Sequence, residues 1–565
     1  YNLGDGDDII TEQGGNNIIE FGDGISKDDI SVRRYNNGLK ILIHNKNNQG
    51  SITITNDISK AVVNIIPISE IKFANGETLS FEEIRKLALI GSDNADTTSG
   101  YIDMDNFIDA KAGNDTIYGG DKNDTLIGGT GNDTLNGGNG DDTYIYNLGD
   151  GVDTITETNG NDTIKFGEGI NKEDLIVQRV NSNGEINTTS NLTDIKISFK
   201  SSPNDSVILK SVVDANVTNS SNAIENFEFN NGDKLSFDDI KKLSLKNKVS
   251  NDEFKGYNDI ENTITGLDSS DIINGGELSD SLYGNGGDDE IYSYGGDDTI
   301  DLGDGNDTVY AGYGNDTIIG GRGDDILKGE HGSDTYIYNL GDGNDIISEQ
   351  GNYYQDDTDV DTLIFGQGIK KEDLLVFRKP YDLNLDNDDS QDDFNQIDRN
   401  LVNLVIKFKN SPNDSITIEN AISDGKIDTN NTLKAFKFAN GDELNIDDIA
   451  NLAMKGSDTD DIIYAFKNEN FIINAGKGND IIYGSTNNEI YEFGLGDGND
   501  TIIERDLNNP NLIVSDSYDI IRFKDDVNKD DIKFYFDGDD LLIKNEKSND
   551  SIRVKRYFNA SNDTY

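Results

Sequence analysis

The sequence predicts a mainly β protein in which parallel β-solenoid tracts alternate with β-rich flanking modules carrying one short helix each. Three observations point there. Residues 266–337 read as eight successive nonapeptides: GLDSSDIIN, GGELSDSLY, GNGGDDEIY, SYGGDDTID, LGDGNDTVY, AGYGNDTII, GGRGDDILK and GEHGSDTYI. Asp271, Asp280, Asp289, Asp298, Asp307, Asp316, Asp325 and Asp334 keep one spacing, and two places after each stands Ile273, Leu282, Ile291, Ile300, Val309, Ile318, Leu327 or Tyr336. A fixed period this short marks a solenoid, in which each unit buries its hydrophobe only against its neighbours. Around these tracts runs a longer repeat whose alternating polar and apolar residues read as an antiparallel sheet packed on one face.

The chemistry of one unit dictates its shape. Gly-rich stretches such as GYGNDT permit φ > 0 and close backbone approach, so they are turns. Thr317-Ile318-Ile319 alternates as a very short strand with its middle side chain inward. Two units then make one coil. Asp271, Asp289, Asp307 and Asp325 stack on one edge, and Asp280, Asp298, Asp316 and Asp334 on the other. Coils lie about 4.8 Å apart, close enough for unpaired carboxylates to repel strongly. A hard cation between successive turns resolves this, because Ca²⁺ takes 6–8 oxygens from carboxylates and carbonyls; one ion per gap gives about six for this tract. Without calcium, a disordered Gly/Asp/Asn-rich segment is the favoured alternative.

These units resemble the RTX (haemolysin-type calcium-binding) nonapeptide G-G-x-G-x-D-x-U-x. The resemblance implies parallel β-rolls that fold on binding Ca²⁺, in bacterial proteins exported by type I secretion. A single copy would be an ordinary turn; recurrence in register makes the motif specific.

Composition agrees. The 565 residues suit about three or four units. A net charge of −60, from 48 basic and 108 acidic residues, argues against nucleic acid and anionic membrane surfaces as partners. A halophilic surface is the alternative reading of that charge, but many of the acids sit at the repeat position. With no cysteine there are no disulfides, which suits a protein exported unfolded that uses metal as its staple. No stretch approaches 18 apolar residues, and the opening YNLGDGDD has no signal-peptide character.

In chain order, YNLGDG begins at Tyr1, Tyr146 and Tyr338, with FGLGDG at Phe493. FGDGISKDDI, FGEGINKEDL, FGQGIKKEDL and FKDDVNKDDI follow from Phe21, Phe166, Phe365 and Phe523. Paired strand-like runs come next, as in Leu404 to Ile418. FANGETLSFEEI, FNNGDKLSFDDI and FANGDELNIDDI from Phe73, Phe229 and Phe438 close the first three copies. This resembles the module separating repeat blocks in RTX toxins such as adenylate cyclase toxin, and with the nonapeptides it covers nearly the whole chain. The expected division is 1–90 flank, 91–145 tract, 146–250 flank, 251–337 central tract, 338–455 flank, 456–492 short tract and 493–565 flank. Ser80-Phe81-Glu82-Glu83 is a capping box before a short amphipathic helix, and Ser26 starts a single helical turn. Asp382 to Asp393 reads as a solvated loop. Neither end of the sequence is expected to be a domain boundary, since the last flank stops before its closing strand and helix.

The first tract supplies Asp115, Asp124, Asp133 and Asp142 in register, with Asp96 and Asp105 ahead of a one-residue slip. The third reads Asp461, Asn470, Asp480 and Glu489, again with a slip. Every tract ends with tyrosine in the inward slot, Tyr144, Tyr336 and Tyr491, and the next acid arrives after eleven residues rather than nine: Asp153, Asp345 and Asp500. This reads as a two-residue widening of the last turn. Asp153, Asp162, Asp345, Asp361 and Asp500 then extend the metal columns into the flanks; an enlarged turn without metal is the other reading.

Other chemistries are poorly supported. No acidic run has EF-hand spacing, and His44 and His331 without cysteine do not make a zinc site. H-E-x-x-H and G-x-S-x-G are absent, so the chain is read as non-enzymatic. No Asp-Pro bond is present for the self-cleavage that some RTX proteins undergo. The expected function is a calcium-triggered folding and secretion region of a large bacterial toxin, monomeric, secreted or at the cell surface, with calcium and the type I secretion machinery as partners. The alternatives are a calcium-stiffened stalk of an adhesin or surface-layer protein, or the C-terminal part of an exported hydrolase.

Overall fold

Period-nine placement of one hydrophobe, with glycine-rich turns between, makes each half-coil a strand too short to stand alone. The chain solves this by stacking. In the computed structural model, which describes all residues except 12–15, 36–37, 46–47, 56–67, 182–193, 215–217, 219, 247–252, 350–358, 380–402, 424–425, 429–431, 467–469, 486, 505–517, 556 and 558–565, the stacks are parallel sheets. The Asp382–Asp393 segment lies outside the described residues. Two compact units are formed, Tyr1–Val249 with Tyr257–Ile260 and Ser250–Gly256 with Glu261–Tyr565.

The second unit contains the longest roll. One face is a nine-stranded sheet, running from Glu253–Lys255 through Ile272–Gly276, Glu290–Tyr294, Thr308–Tyr313 and Ile326–His331 to Asn344–Ile347, and then into the flank strands. The opposite face is an eight-stranded sheet from Thr263–Thr265 through Ser281–Gly286, Thr299–Asp304, Thr317–Arg322 and Thr335–Tyr338 to Thr362–Phe365 and beyond. Ile273, Ile291, Val309 and Leu327 pair in one row, and Leu282, Ile300, Ile318 and Tyr336 in the other. All eight are buried, so the two rows fill the interior between the faces. The architecture is the expected β-roll.

The flanks depart from expectation in one respect. They are not separate antiparallel sheets: Asn344–Ile347 pairs in parallel with Ser411–Ile418, beyond which Asn403–Phe408 and Leu374–Lys379 turn antiparallel, as Glu443–Asn445 does against Ala435–Phe438 on the other face. The flank continues both roll sheets because its first strands offer the same inward hydrophobes, Ile347 and Leu363, to the last coil. The first unit repeats this plan: Thr116–Gly120, Thr134–Gly138 and Val152–Thr156 run parallel into Ser206–Leu209. In the third tract, Ile481–Tyr483 and Asn499–Ile503 run into Ser551–Val554. Three flanks carry the expected helix, Phe81–Leu87, Phe237–Ser244 and Ile446–Ala453, each opened by a reciprocal capping box at Ser80, Ser236 or Asn445. The single turn after Ser26 is a 3₁₀ turn, Lys27–Asp29.

Coil stacking leaves no room for side chains at particular glycines. Gly323 has φ +144°, and a Cβ there would overlap the carbonyl oxygen of Gly305 on the neighbouring coil. Gly341, φ +94°, has nothing within 4 Å of the same point. Gly323→Ala is therefore expected to cost more than about 3 kcal/mol, as backbone must move. Gly341→Ala should cost only the left-handed strain of about 1–2 kcal/mol. Calcium-loaded thermal unfolding of the two variants checks this; equal losses would contradict it.

Candidate metal centre

Each in-register aspartate uses its two oxygens differently. Oδ1 accepts the backbone N–H of the aspartate one coil earlier. Asp289 N donates to Asp307 Oδ1 at 2.7 Å and Asp298 N to Asp316 Oδ1 at 2.8 Å, both 18 residues on. The first tract does the same, Asp115 to Asp133 and Asp124 to Asp142, each at 2.7 Å. Every coil thereby fixes the carboxylate of the next, and the two edge columns follow the expected partition. Oδ2 is left over. It is buried without a hydrogen-bond partner at Asp115, Asp124, Asp133 and Asp142, at Asp280, Asp289, Asp298, Asp307, Asp316, Asp325 and Asp334, and at Asp480. These oxygens face glycines of their own turns: a Cβ on Gly128 or Gly284 would strike Oδ2 of Asp133 or Asp289.

Such an arrangement is unfavourable as it stands. A buried polar atom without a partner costs of order 1–3 kcal/mol, and a buried charge far more. Burial pushes the carboxyls up, Asp124 and Asp307 to about 6, Asp289 and Asp325 to about 7, and Asp316 to about 8. Ranks of buried carboxylate oxygens pointed into glycine-lined turns are a donor set for a hard, oxygen-seeking cation. The residues fit Ca²⁺.

The ends of the columns differ from the middle. Asp96, Asp271 and Asp461 open the tracts, and their Oδ2 atoms already accept from Ser92, Leu267 and Ser457 N–H at 2.6–2.8 Å. Asp105 is exposed, and Asn106 takes the register position instead, donating its N–H to Asp124 Oδ1 at 2.7 Å. Likewise Phe471 rather than Asn470 stands one coil before Glu489, its carbonyl accepting from Ile490 N. In both tracts the extra residue lies before the slot: Asp96 and Asp115, like Asp461 and Asp480, are 19 residues apart. Asn262 holds the equivalent place in the central tract.

At the far ends, Asp153, Asp345 and Asp500 accept from Asp133, Asp325 and Asp480 across steps of 20 residues, which is the two-residue widening. Asp162 and Asp361 accept from Asp142 at 2.8 Å and from Asp334 at 3.0 Å. Glu225 and Asp519, absent from the sequence-derived set, join the same chains through Asp162 N and Glu489 N. Three glutamates were also missed. Glu157, Glu349 and Glu504 gather with the last edge acids into the groups Asp142–Glu157–Asp162, Asp334–Glu349–Asp361 and Glu489–Glu504–Asp519, whose ligand oxygens lie within 4.8 Å of one another. Their signal was in the sequence: each follows the closing tyrosine by 13 residues, in the strings DTITE, DIISE and DTIIE.

The opening coil is closed by side chains. Arg34 donates to the carbonyls of Ser99 and Gly100 and lies 4.8 Å over the Tyr101 ring. Arg378 donates to Tyr464 and Ala465 carbonyls and lies 4.7 Å over Phe466. A flank guanidinium thus satisfies first-coil carbonyls that have no preceding coil to pair with.

The family model described as RTX calcium-binding nonapeptide repeat (4 copies) matches residues 103–124, 109–144, 118–155, 261–281, 274–309, 310–347 and 472–502. These stretches hold most of the column carboxylates, with Asp96, Asp162, Asp361 and Asp461 lying outside them. The tracts are RTX repeats. Calcium is therefore the cofactor of these tracts, which are structural and calcium-binding rather than catalytic. A second model, the haemolysin-type calcium binding protein related domain, matches 403–448, from the outer flank strands into the third helix. No curated protein matches the chain. Among solved structures, the extracellular lipase LipA from Serratia marcescens matches at 14% identity over 52% of this chain and 37% of the lipase. Its TM-score of 0.13 is below the level that implies a shared fold. Among the described residues, no helix is long and apolar enough to cross a membrane.

Proposed function

We propose that this chain is the calcium-operated folding region of a large secreted bacterial protein, exported by a type I system as an unfolded chain and assembled outside the cell. The observation that carries the reading is the columns of buried, partnerless Oδ2 atoms, which make the folded rolls unfavourable until a cation arrives. The in-register aspartates from Asp115 to Asp142, Asp280 to Asp334 and Asp480 serve as ligands. Asp153, Asp162, Asp345, Asp361 and Asp500 extend the columns, and Asp96, Asp271 and Asp461 anchor their first turns. Bound calcium supplies positive charge between turns. The chain's own part is to hold each carboxylate by the preceding N–H and to keep side chains out of the turn with glycine.

In low calcium, carboxylate repulsion and thin strands keep the chain open; in millimolar calcium the columns are neutralised and the coils stack. The parent is read as a toxin, because the flanks resemble the modules between blocks of RTX toxins; the chain acts as a monomer and has no enzymatic role. Circular dichroism of the chain in EDTA and in millimolar Ca²⁺ tests the folding step. Largely unfolded spectra in EDTA and β spectra in calcium are expected, with Mg²⁺ a poor substitute because it holds its waters. A fully β-structured chain in EDTA at neutral pH would overturn the reading.

A further inference from the structure

The last gap of each roll is built differently from all the others. Gly119 and Gly137 are neighbours in one column of small residues, and so are Ala311 and Gly329, and Ala465 and Gly484. In the final, widened coil the next member of each column is Glu157, Glu349 or Glu504, one residue beyond the paired strand positions for Glu157 and Glu504 and two beyond for Glu349. The chain exchanges its smallest side chain for a carboxylate at the point where the roll ends.

Each glutamate is held in place by the closing tyrosine. Gly137 N–H donates to Tyr144 Oη at 2.7 Å, so the phenol proton is directed at Glu157 Oε1, to which Tyr144 donates. Gly329 N–H donates to Tyr336 Oη at 2.8 Å, and Tyr336 in turn bonds Glu349. Tyr491 donates to Glu504 in the same way. A Cβ on Gly137 would strike both Asp142 Oδ2 and Glu157 Oε1, so these oxygens converge on one space beside a residue with no side chain. Asp142 is 1% exposed and Asp334 0%, and the Oδ2 of each has no partner and points into that space.

We propose that the terminal gaps Asp142–Glu157–Asp162 and Asp334–Glu349–Asp361 are three-carboxylate cation sites that take up calcium before the two-carboxylate gaps along the rolls, so that each roll loads first at its flank end. Affinity in oxygen-ligand calcium sites follows the number of charged ligands and the rigidity of the cage. Both are higher here: one more carboxylate, fixed by a buried tyrosine of the kind that orients metal ligands from outside. The third group, Glu489–Glu504–Asp519, has the same parts, but Glu504 is partly exposed and Asp519 exposed, so it fills after the other two. Loading from the flank end suits a solenoid, because the first ion pins the widened coil against which the others stack. The inference rests on the calcium reading of the columns.

Native mass spectrometry of the full chain during a Ca²⁺ titration tests it, with Glu157→Gln, Glu349→Gln and the double variant beside the wild type. Each single variant should lose one of the first ions taken up, and the double variant two. Those ions should return only at calcium concentrations at least about tenfold higher. Terbium gives an independent readout. At low Tb³⁺ equivalents, emission excited through tyrosine should be strong in the wild type and fall in Tyr144→Phe/Tyr336→Phe, which keeps all carboxylates but loses the phenols that sensitise the ion and fix the two glutamates. A double Gln variant that takes up its first ions at wild-type calcium overturns the proposal. Where that variant fails to fold in saturating calcium, each single variant is read against the untouched tract in the same chain, and an unchanged early count overturns it equally. A wild type that takes up no calcium refutes the column reading itself, a distinct outcome.

Discussion

As calcium is withdrawn stepwise, residues 456–492 are expected to open first and residues 266–337 last. Among the described residues, the central tract holds seven carboxylate oxygens buried without partners, the first tract four, and the third two, on Asp480 and Glu489. Each such oxygen is a place where an ion adds stability, and solenoid stability is a sum over neighbouring contacts. The third tract is also weakened in its sequence. Phe471 stands where Asn106 and Asn262 hydrogen-bond to the next carboxylate in the other tracts, and Glu489 replaces an aspartate. Asp307→Asn should damage the gaps on both sides of its turn and raise the calcium midpoint of the central tract about 3–10-fold. Asp461→Asn should shift the third tract less than about twofold, since that carboxylate already accepts from Ser457 and lies at the end of its column. Residue-resolved hydrogen exchange during a chelator titration reads both. Protection persisting over 456–492 after 266–337 has opened would mean that ligand number and register do not set local stability.

The parts of the site that were legible in the sequence are those in which one residue type recurs at one spacing for one reason. An aspartate must recur wherever a turn needs its carboxylate, and a hydrophobe wherever the coil has an interior, so the columns and the core rows are readable without coordinates. The slips were harder. A one-residue insertion between Asp96 and Asp115 can be absorbed before or after the intervening slot, and the chain absorbs it early, so that Asn106 rather than Asp105 is buried. Nothing in residue type signals this, because an Asp is the better ligand and an Asn the better hydrogen-bonding filler. Glu157, Glu349 and Glu504 were overlooked for the opposite reason: their recurrence is regular but belongs to the longer repeat, where a glutamate after a strand looks like solvated surface. The flank sheets were misjudged because alternation fixes which face of a strand is inward and leaves open whether its neighbour runs parallel or antiparallel.

In EDTA the rolls are expected to regain structure as the solution is acidified, the reverse of their behaviour with calcium. Burial raises the carboxyls of the folded, metal-free columns far above the ordinary value of 3.8: Asp280 and Asp307 to about 6, Asp298 and Asp334 to about 7, and Asp142, Asp316 and Asp345 to about 8. A group whose folded pKa lies above its unfolded pKa binds its proton more tightly in the folded state. Its contribution is fully present below about pH 4 and is lost as pH rises through the folded value. For these columns the loss begins near pH 4 and is complete at about pH 6 to 8, group by group. With calcium bound the sign reverses, because the ions require ionised carboxylates and acid displaces them. The chain should thus show more β structure in EDTA at about pH 5.5 than at pH 8, and at the same acidity need more calcium to reach its loaded state. The fall in net charge on acidification acts in the same direction on the whole chain, so a local variant separates the two effects. Asp316→Asn removes one buried ionisable group: it should stabilise the metal-free central tract at pH 8 while weakening the calcium-loaded one. Circular dichroism and hydrogen exchange over 266–337 in EDTA at both pH values decide it. A wild-type spectrum that does not change between them, or an Asp316→Asn tract no more protected than wild type in EDTA at pH 8, would show that buried carboxylates do not control the metal-free state.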